Sequence, residues 1–348
     1  MTLLYRKWFV TAINRNQQYL LNTVNLSIEN KNMKNLIGLI LVILCLCACN
    51  NTQISKNEKE VYLFSYFKGN GDGLHLAYSE DGLKWEALFE DSVLLKPEIG
   101  KDKLIRDPSI VQDETGTFHM VWTTGWWDQG IGYASSEDLI HWSEQQNIPV
   151  MEKFEGTRNS WAPELFYDKK SKTFYIFWAS TIPGAFPELP TSESEKGLNH
   201  RQYYVTTKDF KTFSDTKLFF EPGFSVIDGA ILEKDDLYYL FVKNENSAPA
   251  EKNIRITSHT KPYDFPAEVS EPITGDYWAE GPAPLLVDDY VYVYFDKYRD
   301  RKYGAVRSKD MQHWEDVSDS ISFPPGTRHG TAFTVSESAL ANLRKEDK

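Results

Sequence analysis

The 348 residues, of which 41% are hydrophobic and 14% aromatic, are enough for one large domain or two small ones with a sizeable core. A formal net charge of −12 argues against a nucleic-acid partner, because binding to phosphates requires a basic protein face. The three cysteines, Cys45, Cys47 and Cys49, lie close together near the N-terminus, so the rest of the chain contains no disulfide.

The first pattern along the chain is a secretion signal over residues 33–48. Lys34 follows Met33, and residues 36–46 form an apolar run that is too short to span a bilayer. The end of this run, Leu46 to Cys49, resembles a bacterial lipobox, which implies cleavage before Cys49 and lipidation of its thiol. We therefore expect a secreted lipoprotein anchored to the outer membrane, facing the periplasm or the cell surface. A short membrane anchor that stays uncut is the alternative.

The remaining chain divides around this signal. Residues 1–32 precede a complete signal that starts at Met33, and we interpret them as an extension upstream of the true start. Residues 49–60 are polar and are predicted to form a tether. Residues 61–340 are predicted to form the folded domain, which we expect to be a monomer.

Two internal repeats predict the architecture of that domain. The first repeat is Ser/Thr-x-Asp followed by an aromatic residue, in copies that begin at Ser79, Ser136, Thr207 and Ser308, with a degenerate copy at His259. The second repeat precedes runs of alternating Tyr, Phe, Val and Trp that are typical of strands, and its copies are centred on Asp107, Ala162, Asp228, Glu280 and His329. Five units of about 40–65 residues indicate an all-β, five-bladed β-propeller.

The ends of the repeat pattern predict how the ring closes. The N-terminal unit lacks an opening strand, and the segment after His329 is an opening strand without a unit. Pairing the C-terminal strand with the N-terminal blade would complete the fifth blade without a free edge.

The five centres of the second repeat are predicted to meet at one end of the central tunnel, because the first strand of each blade lines the axis. Three carboxyl groups and an imidazole held close together are costly to bury unless they take part in chemistry. In contrast, the aspartates of the first repeat are expected on the opposite face, bonding to the backbone of their turns. These residues are Asp81, Asp138, Asp209 and Asp310.

The motifs D-P-S-I, W-A-P-E, I-D-G-A, E-G-P and R-H-G, each opening a repeat in that order, resemble glycoside hydrolase family 43. The resemblance covers residues 60–340 and implies a five-bladed propeller with an inverting mechanism. It implies that Asp107 is the general base, that Glu280 is the general acid, and that Asp228 orients Glu280 and raises its pKa. It places His329 beside a hydrated calcium ion in the tunnel; hydrogen bonding to tunnel water without a metal is the alternative. No organic cofactor is expected.

Other residues are expected to bind the sugar or to support the fold. Trp161, Trp126 and Trp127 are candidates for stacking on a sugar, although the last two could belong to the core. Arg299 is a candidate for contacting the acid or the substrate, or is a solvated loop charge. Glu164 is expected one layer deeper in the tunnel, with a structural role.

The expected substrate is an oligosaccharide or polysaccharide that contains arabinose or xylose. The leading prediction is an exo-acting α-L-arabinofuranosidase or β-D-xylosidase, with a narrow preference for the first. The insert Ser180 to His200 could close one end of the pocket, whereas an open groove for internal cleavage is the alternative. Two other functions stay open: a surface glycan-binding propeller without catalysis, and another five-bladed carbohydrate enzyme such as a fructan hydrolase or a phosphorylase.

Overall fold

A computed structural model describes residues 59–347. The predicted signal (33–48), the lipidation site Cys49 and all but the end of the tether lie outside the described residues. Within 59–347, no helix is long and apolar enough to cross a membrane.

Strands of the described residues form five antiparallel sheets, each of which is one blade, and this confirms the predicted fold class. The blade that joins the two ends of the described chain contains β1 (Glu60–Tyr66), β2 (His75–Ser79), β3 (Glu86–Ala87) and β19 (Ala332–Ser336). The next contains β4 (Arg106–Gln112), β5 (Phe118–Thr123), β6 (Ile131–Ser136) and β7 (Gln146–Ile148). The third contains β8 (Trp161–Asp168), β9 (Thr173–Ser180), β10 (Arg201–Thr207) and β11 (Lys217–Phe220).

The last two blades follow the same order from the axis outward. One is three-stranded, with β12 (Val226–Lys234), β13 (Leu237–Asn244) and β14 (Ile254–His259). The other contains β15 (Glu280–Val287), β16 (Tyr290–Lys297), β17 (Lys302–Ser308) and β18 (Glu315–Asp316). A helix, α1 (Glu337–Glu346), follows β19 and begins at Ser336, whose hydroxyl accepts a hydrogen bond from the N–H of Ala339.

The ring closes as predicted. Strand β19 pairs with β1 in antiparallel register, with Ala332 opposite Phe64 and Ser336 opposite Glu60. The inner strands contact one another in the order β4, β8, β12, β15 and β19, and β1 contacts β4. Five clusters of buried aromatic and aliphatic side chains fill the spaces between the sheets.

The repeated Ser/Thr-x-Asp motif forms the turn that follows the third strand of a blade. In the second blade, the Asp138 carboxylate accepts hydrogen bonds from the N–H groups of Ile140 and His141, and the Ser136 hydroxyl accepts one from Leu139. Asp81, Asp209 and Asp310 make equivalent bonds. These aspartates therefore stabilise turns, as predicted.

Candidate active site

A β-bulge at the start of four inner strands positions the candidate catalytic residues. The pairing register shifts between Arg106 and Ser109, between Trp161 and Glu164, between Ile227 and Ala230, and between Glu280 and Ala283. The residue after the first of each pair has a positive φ: 53° at Asp107, 44° at Ala162, 52° at Asp228 and 63° at Gly281. Bulges re-aim side chains, and here they occur at the end of the tunnel where the predicted site lies.

This register corrects one detail of the sequence prediction. Glu280 was expected to be equivalent to Asp107 and Asp228, but the equivalent residue is Gly281, and Glu280 lies one position earlier. Gly281 is needed there, because a Cβ atom at this position would lie 2.4 Å from atoms of the His329 ring. The Glu280 side chain therefore enters the site from the position that Arg106, Trp161 and Ile227 occupy in their blades.

A cavity of about 180 Å³ lies at this end of the tunnel. This is below the ~300–1,000 Å³ of pockets for drug-sized ligands, which suits a small group such as one sugar ring. The predicted residues that line it are Asp107, Asp228, Glu280, His329, Trp126 and Trp161; Trp127 and Arg299 are not among the lining residues.

Asp107 is held in its charged form by neighbours on two sides. Its Oδ2 accepts a hydrogen bond from the Thr123 hydroxyl at 2.9 Å, and its Oδ1 lies 3.3 Å from Nδ1 of His329. Burial opposes the charged form, but the hydrogen bond and charge of His329, with smaller contributions from Arg106 and Thr123, lower the pKa of Asp107. An ionised carboxylate is the state that a general base requires.

His329 lies between two of the carboxyl groups. Its Nδ1 is 4.0 Å from Asp228 Oδ1 as well as 3.3 Å from Asp107. Burial opposes protonation, but Asp228 and Asp107 raise the pKa of His329 to about 9. The two carboxylates therefore favour the protonated form of the imidazole.

The calcium ion implied by the sequence would lie beside His329, with water between them. Among residues 59–347, no group of three or more His, Cys, Asp or Glu side chains is arranged to hold a metal ion. As arranged, these residues do not fit a directly liganded ion, and an ion bound through water near His329 stays a prediction.

Asp228 is buried and contacts the backbone beside Glu280. Its Oδ2 accepts a hydrogen bond from the N–H of Gly281 at 3.0 Å. Burial raises the pKa of Asp228, and the charges of Glu280 and Asp107 act in the same direction.

Two cations, neither of which the sequence predicted, contact Glu280. Lys243, on β13, places Nζ 3.0 Å from Oε2. Arg328 places a terminal nitrogen 3.4 Å from Oε1, and its Nε donates to Asp296, the residue opposite Glu280 on β16. Burial raises the pKa of Asp296 to about 6, although the Arg328 charge opposes this.

Lys243 is buried among carboxylates. Its Nζ lies 2.7 Å from Glu245 Oε2 as well as 3.0 Å from Glu280. Burial opposes the charge on Lys243, but these carboxylates raise its pKa well above the usual value. Lys243 and Lys252 in turn lower the pKa of Glu245 against the effect of burial. The wall of the cavity beside Glu280 is therefore a set of paired buried charges.

The aromatic rings of Trp126 and Trp161 form another part of the rim of the cavity. Trp161 packs against Trp126 and Trp127, with ring centroids 5.9 Å apart in both pairs, and its indole N–H donates to the Trp126 carbonyl. Trp126 and Trp127 are 37% and 49% exposed, so neither belongs to the core. Arg106 lies over the Trp126 ring and Arg158 over the Trp127 ring. Each of these two rings therefore has an arginine over one of its faces.

Two further predictions can be placed. Arg299 lies over the Trp278 ring at 4.6 Å, and the arginine that contacts Glu280 is Arg328 instead. A contact of Arg299 with substrate stays a prediction. Glu164 is buried two residues beyond Ala162, within 3.4 Å of the Thr331 hydroxyl, and burial raises its pKa to about 8.

A weak signal for the missed residues was present in the strands. Thr123, Lys243 and Asp296 occupy the same register, opposite the first residue of a bulge. Each one ends an apolar run on the second strand of its blade. A polar residue that repeats at this position in several blades marks the rim of the site.

Comparison with known proteins adds the following. The model of a family related to glycoside hydrolase family 43, described as "Probable glycosyl hydrolase domain", matches residues 57–340. An α-L-arabinofuranosidase of Bifidobacterium longum subsp. longum is 24% identical over 121 residues, which are 33% of this chain and 11% of that protein. The chain thus spans about a tenth of the length of this relative.

Two solved structures are similar to part of this chain. The crystal structure of an α-L-arabinofuranosidase from Lactobacillus brevis has a TM-score of 0.49 and 16% identity, over 62% of this chain and 72% of that one. A xylan β-1,4-xylosidase from Bacillus halodurans has a TM-score of 0.44 and 20% identity, over 61% and 41% of the two chains.

Proposed function

Because the chain belongs to the family of glycosyl hydrolases related to family 43, we propose that it is an inverting glycoside hydrolase. The observation that carries the proposal is that Asp107, Asp228 and Glu280 line one small cavity beside exposed tryptophans. Asp107 acts as the general base and removes a proton from the attacking water. Glu280 acts as the general acid and protonates the departing glycosidic oxygen. Asp228 keeps Glu280 oriented through the peptide N–H that follows it.

The environment of the two catalytic groups supports this division of labour. His329 and Thr123 stabilise the negative charge on Asp107. Glu280 lies at the same cavity, close to Asp228 and Asp296, two carboxyl groups whose pKa values are raised by burial.

We propose an α-L-arabinofuranoside or a β-D-xyloside as substrate, with the arabinofuranoside preferred and cleavage from the chain end. The small volume of the cavity favours one terminal sugar over an internal segment of a polysaccharide. The relative found by sequence comparison is an α-L-arabinofuranosidase, and its short match favours the same substrate.

The test is hydrolysis of the paranitrophenyl glycosides of α-L-arabinofuranose and β-D-xylose by the purified protein, beside Glu280→Gln and Asp107→Asn. Release of nitrophenol that Asp107→Asn abolishes and Glu280→Gln lowers supports the hydrolase. Proton NMR of the first product identifies its anomer, and a product of retained configuration would contradict the inverting mechanism.

A second candidate is a glycan-binding propeller without catalysis. One observation favours it: both oxygens of Glu280 contact cations, whereas a general acid must carry a proton. Tight binding of arabinan or xylan oligomers, with no hydrolysis of these or of the aryl glycosides, would select this candidate.

Anchoring through Cys49 is proposed independently of catalysis. Metabolic labelling with an alkyne fatty acid should mark the full-length protein in the membrane fraction, and Cys49→Ser should lose both the label and the membrane association. Labelling that persists in Cys49→Ser would contradict this assignment. The predicted monomer can be measured in the same preparations by light scattering.

A further inference from the structure

A row of alternating buried charges runs from Glu280 to the insert between β9 and β10. Lys243 contacts Glu280 and Glu245, at 3.0 and 2.7 Å. Lys252 contacts the other oxygen of Glu245 at 2.9 Å. Glu195 lies in a short 3₁₀ turn within the insert. Both of its carboxylate oxygens accept hydrogen bonds from the Lys252 ammonium, at 2.8 Å.

The burial of this row makes its members depend on one another. Lys243 and Lys252 each expose at most 2% of their side chains, and Glu245 exposes 12%. A buried ammonium needs a carboxylate beside it, because water cannot solvate the charge. Only Glu195 and Glu280, at the two ends, are more exposed than this. Removal of an end therefore forces the interior charges to redistribute.

The backbone adds a second connection between Lys252 and Glu280. The carbonyl of Lys252 accepts a hydrogen bond from the N–H of Ala279, the residue before Glu280, at 3.0 Å. Lys252 itself has a positive φ of 42°, a conformation that a non-glycine residue adopts only when its surroundings hold it there. Lys252 thus contacts Glu195 and Glu245 through its ammonium and the backbone next to Glu280 through its carbonyl.

We propose that Glu195, Lys252 and Glu245 are positioning residues for Glu280, so that the insert takes part in proton donation rather than only limiting the pocket. With Glu195 neutralised, Lys252 depends on Glu245 alone and draws it away from Lys243. Lys243 then pairs more strongly with Glu280 and stabilises its ionised form at the expense of the proton it must donate. The inference rests on the proposed role of Glu280 as the general acid.

The leaving group of the substrate distinguishes this role from a general loss of structure. A phenyl glycoside needs its oxygen protonated as the bond breaks, whereas a dinitrophenyl glycoside leaves as a stable anion without that help. In Glu195→Gln we expect kcat to fall about 10-fold on the phenyl arabinofuranoside and to stay within about twofold on the dinitrophenyl arabinofuranoside. Glu195→Asp, which retains the charge, should recover part of the loss.

The same turn offers a matched control. Glu193 is 91% exposed and lies 3.9 Å from Lys196, outside the buried row. Glu193→Gln should leave kcat unchanged on both substrates. An equal loss on both substrates in Glu195→Gln, or no loss on the phenyl substrate, would overturn the proposal.

A different result would identify failure of the proposed function itself. If the unmodified protein hydrolyses neither arabinosides nor xylosides, hydrogen exchange tests the row alone. The peptide that contains Ala279 should exchange faster in Glu195→Gln than in the unmodified protein or in Glu193→Gln. Equal exchange in all three proteins would overturn the link between the insert and Glu280.

Discussion

The Asp228 carboxylate accepts a hydrogen bond from the peptide N–H of Gly281 at 3.0 Å, and so fixes the backbone next to the Glu280 side chain. The two residues belong to adjacent blades, on β12 and β15, so the bond also joins two blades at the tunnel. The orienting role of Asp228 stays a prediction, and the hydrogen bond that would carry it is made to the main chain beside Glu280.

Substitution of Asp228 should separate this anchoring from the effect of its charge. Asp228→Ala removes the acceptor, and a misplaced acid should lower kcat on a phenyl glycoside about 100-fold. Asp228→Asn keeps an acceptor for the Gly281 N–H and should lower it only about 10-fold. Asp81→Asn, in a turn on the opposite face, serves as the control and should retain full activity. Equal losses in the two Asp228 variants would show that charge, not anchoring, is the main contribution.

The pH profile should report the contact between His329 and Asp107. The base must be ionised, so activity falls as the pH drops through the pKa of Asp107, which His329 holds below its usual value of about 3.9. In His329→Gln the lowering interaction is lost while the burial remains. The acid limb of kcat/KM should therefore move to higher pH. An acid limb that stays in place would show that His329 does not control the charge on Asp107.

The parts of this site that could be predicted from sequence are those that belong to the repeated motif at the start of each inner strand. The motifs around Asp107 and Asp228 mark bulges, and five copies predicted that their side chains meet at the axis. Glu280 was found by its motif but assigned to the wrong position, because the bulge places Gly281 where the other blades have Asp107 and Asp228. The number of residues that each bulge inserts before its strand resumes pairing cannot be read from the sequence.

Lys243 and Arg328 were missed for a different reason. Their role depends on contacts between blades, with Lys243 on β13 reaching Glu280 on β15. In sequence, Lys243 is a charged residue at the end of an apolar run, which usually marks a strand that emerges into solvent. The packing of neighbouring blades around the axis buries that end of the strand in the wall of the cavity.

Substitution of Trp126 and of Trp127 should change KM for substrates of different length. Trp126 lines the cavity, whereas Trp127 is half exposed beyond it. Trp126→Ala should raise KM for an aryl monoglycoside about 10-fold with little change in kcat, because stacking on a sugar stabilises bound substrate and transition state alike. Trp127→Ala should raise KM only for longer oligosaccharides. A lower kcat on the monoglycoside in Trp127→Ala would contradict a role restricted to the outer part of the substrate.

The protonation state of Glu164 in the tunnel can be tested by measuring the free energy of unfolding, without an activity assay. Burial raises its pKa to about 8, compared with about 4.3 for an unfolded chain. Between these values the folded state binds a proton that the unfolded state has released, so the free energy of unfolding decreases as the pH rises from about 4.3 to about 8. Glu164→Gln, which is neutral in both states, should lack this decrease. The variant should match the unmodified protein near pH 4 and become more stable by an amount on the order of 5 kcal/mol near pH 8. Urea unfolding at a series of pH values measures the difference, and a difference that does not change with pH would show that Glu164 is ionised in the folded tunnel.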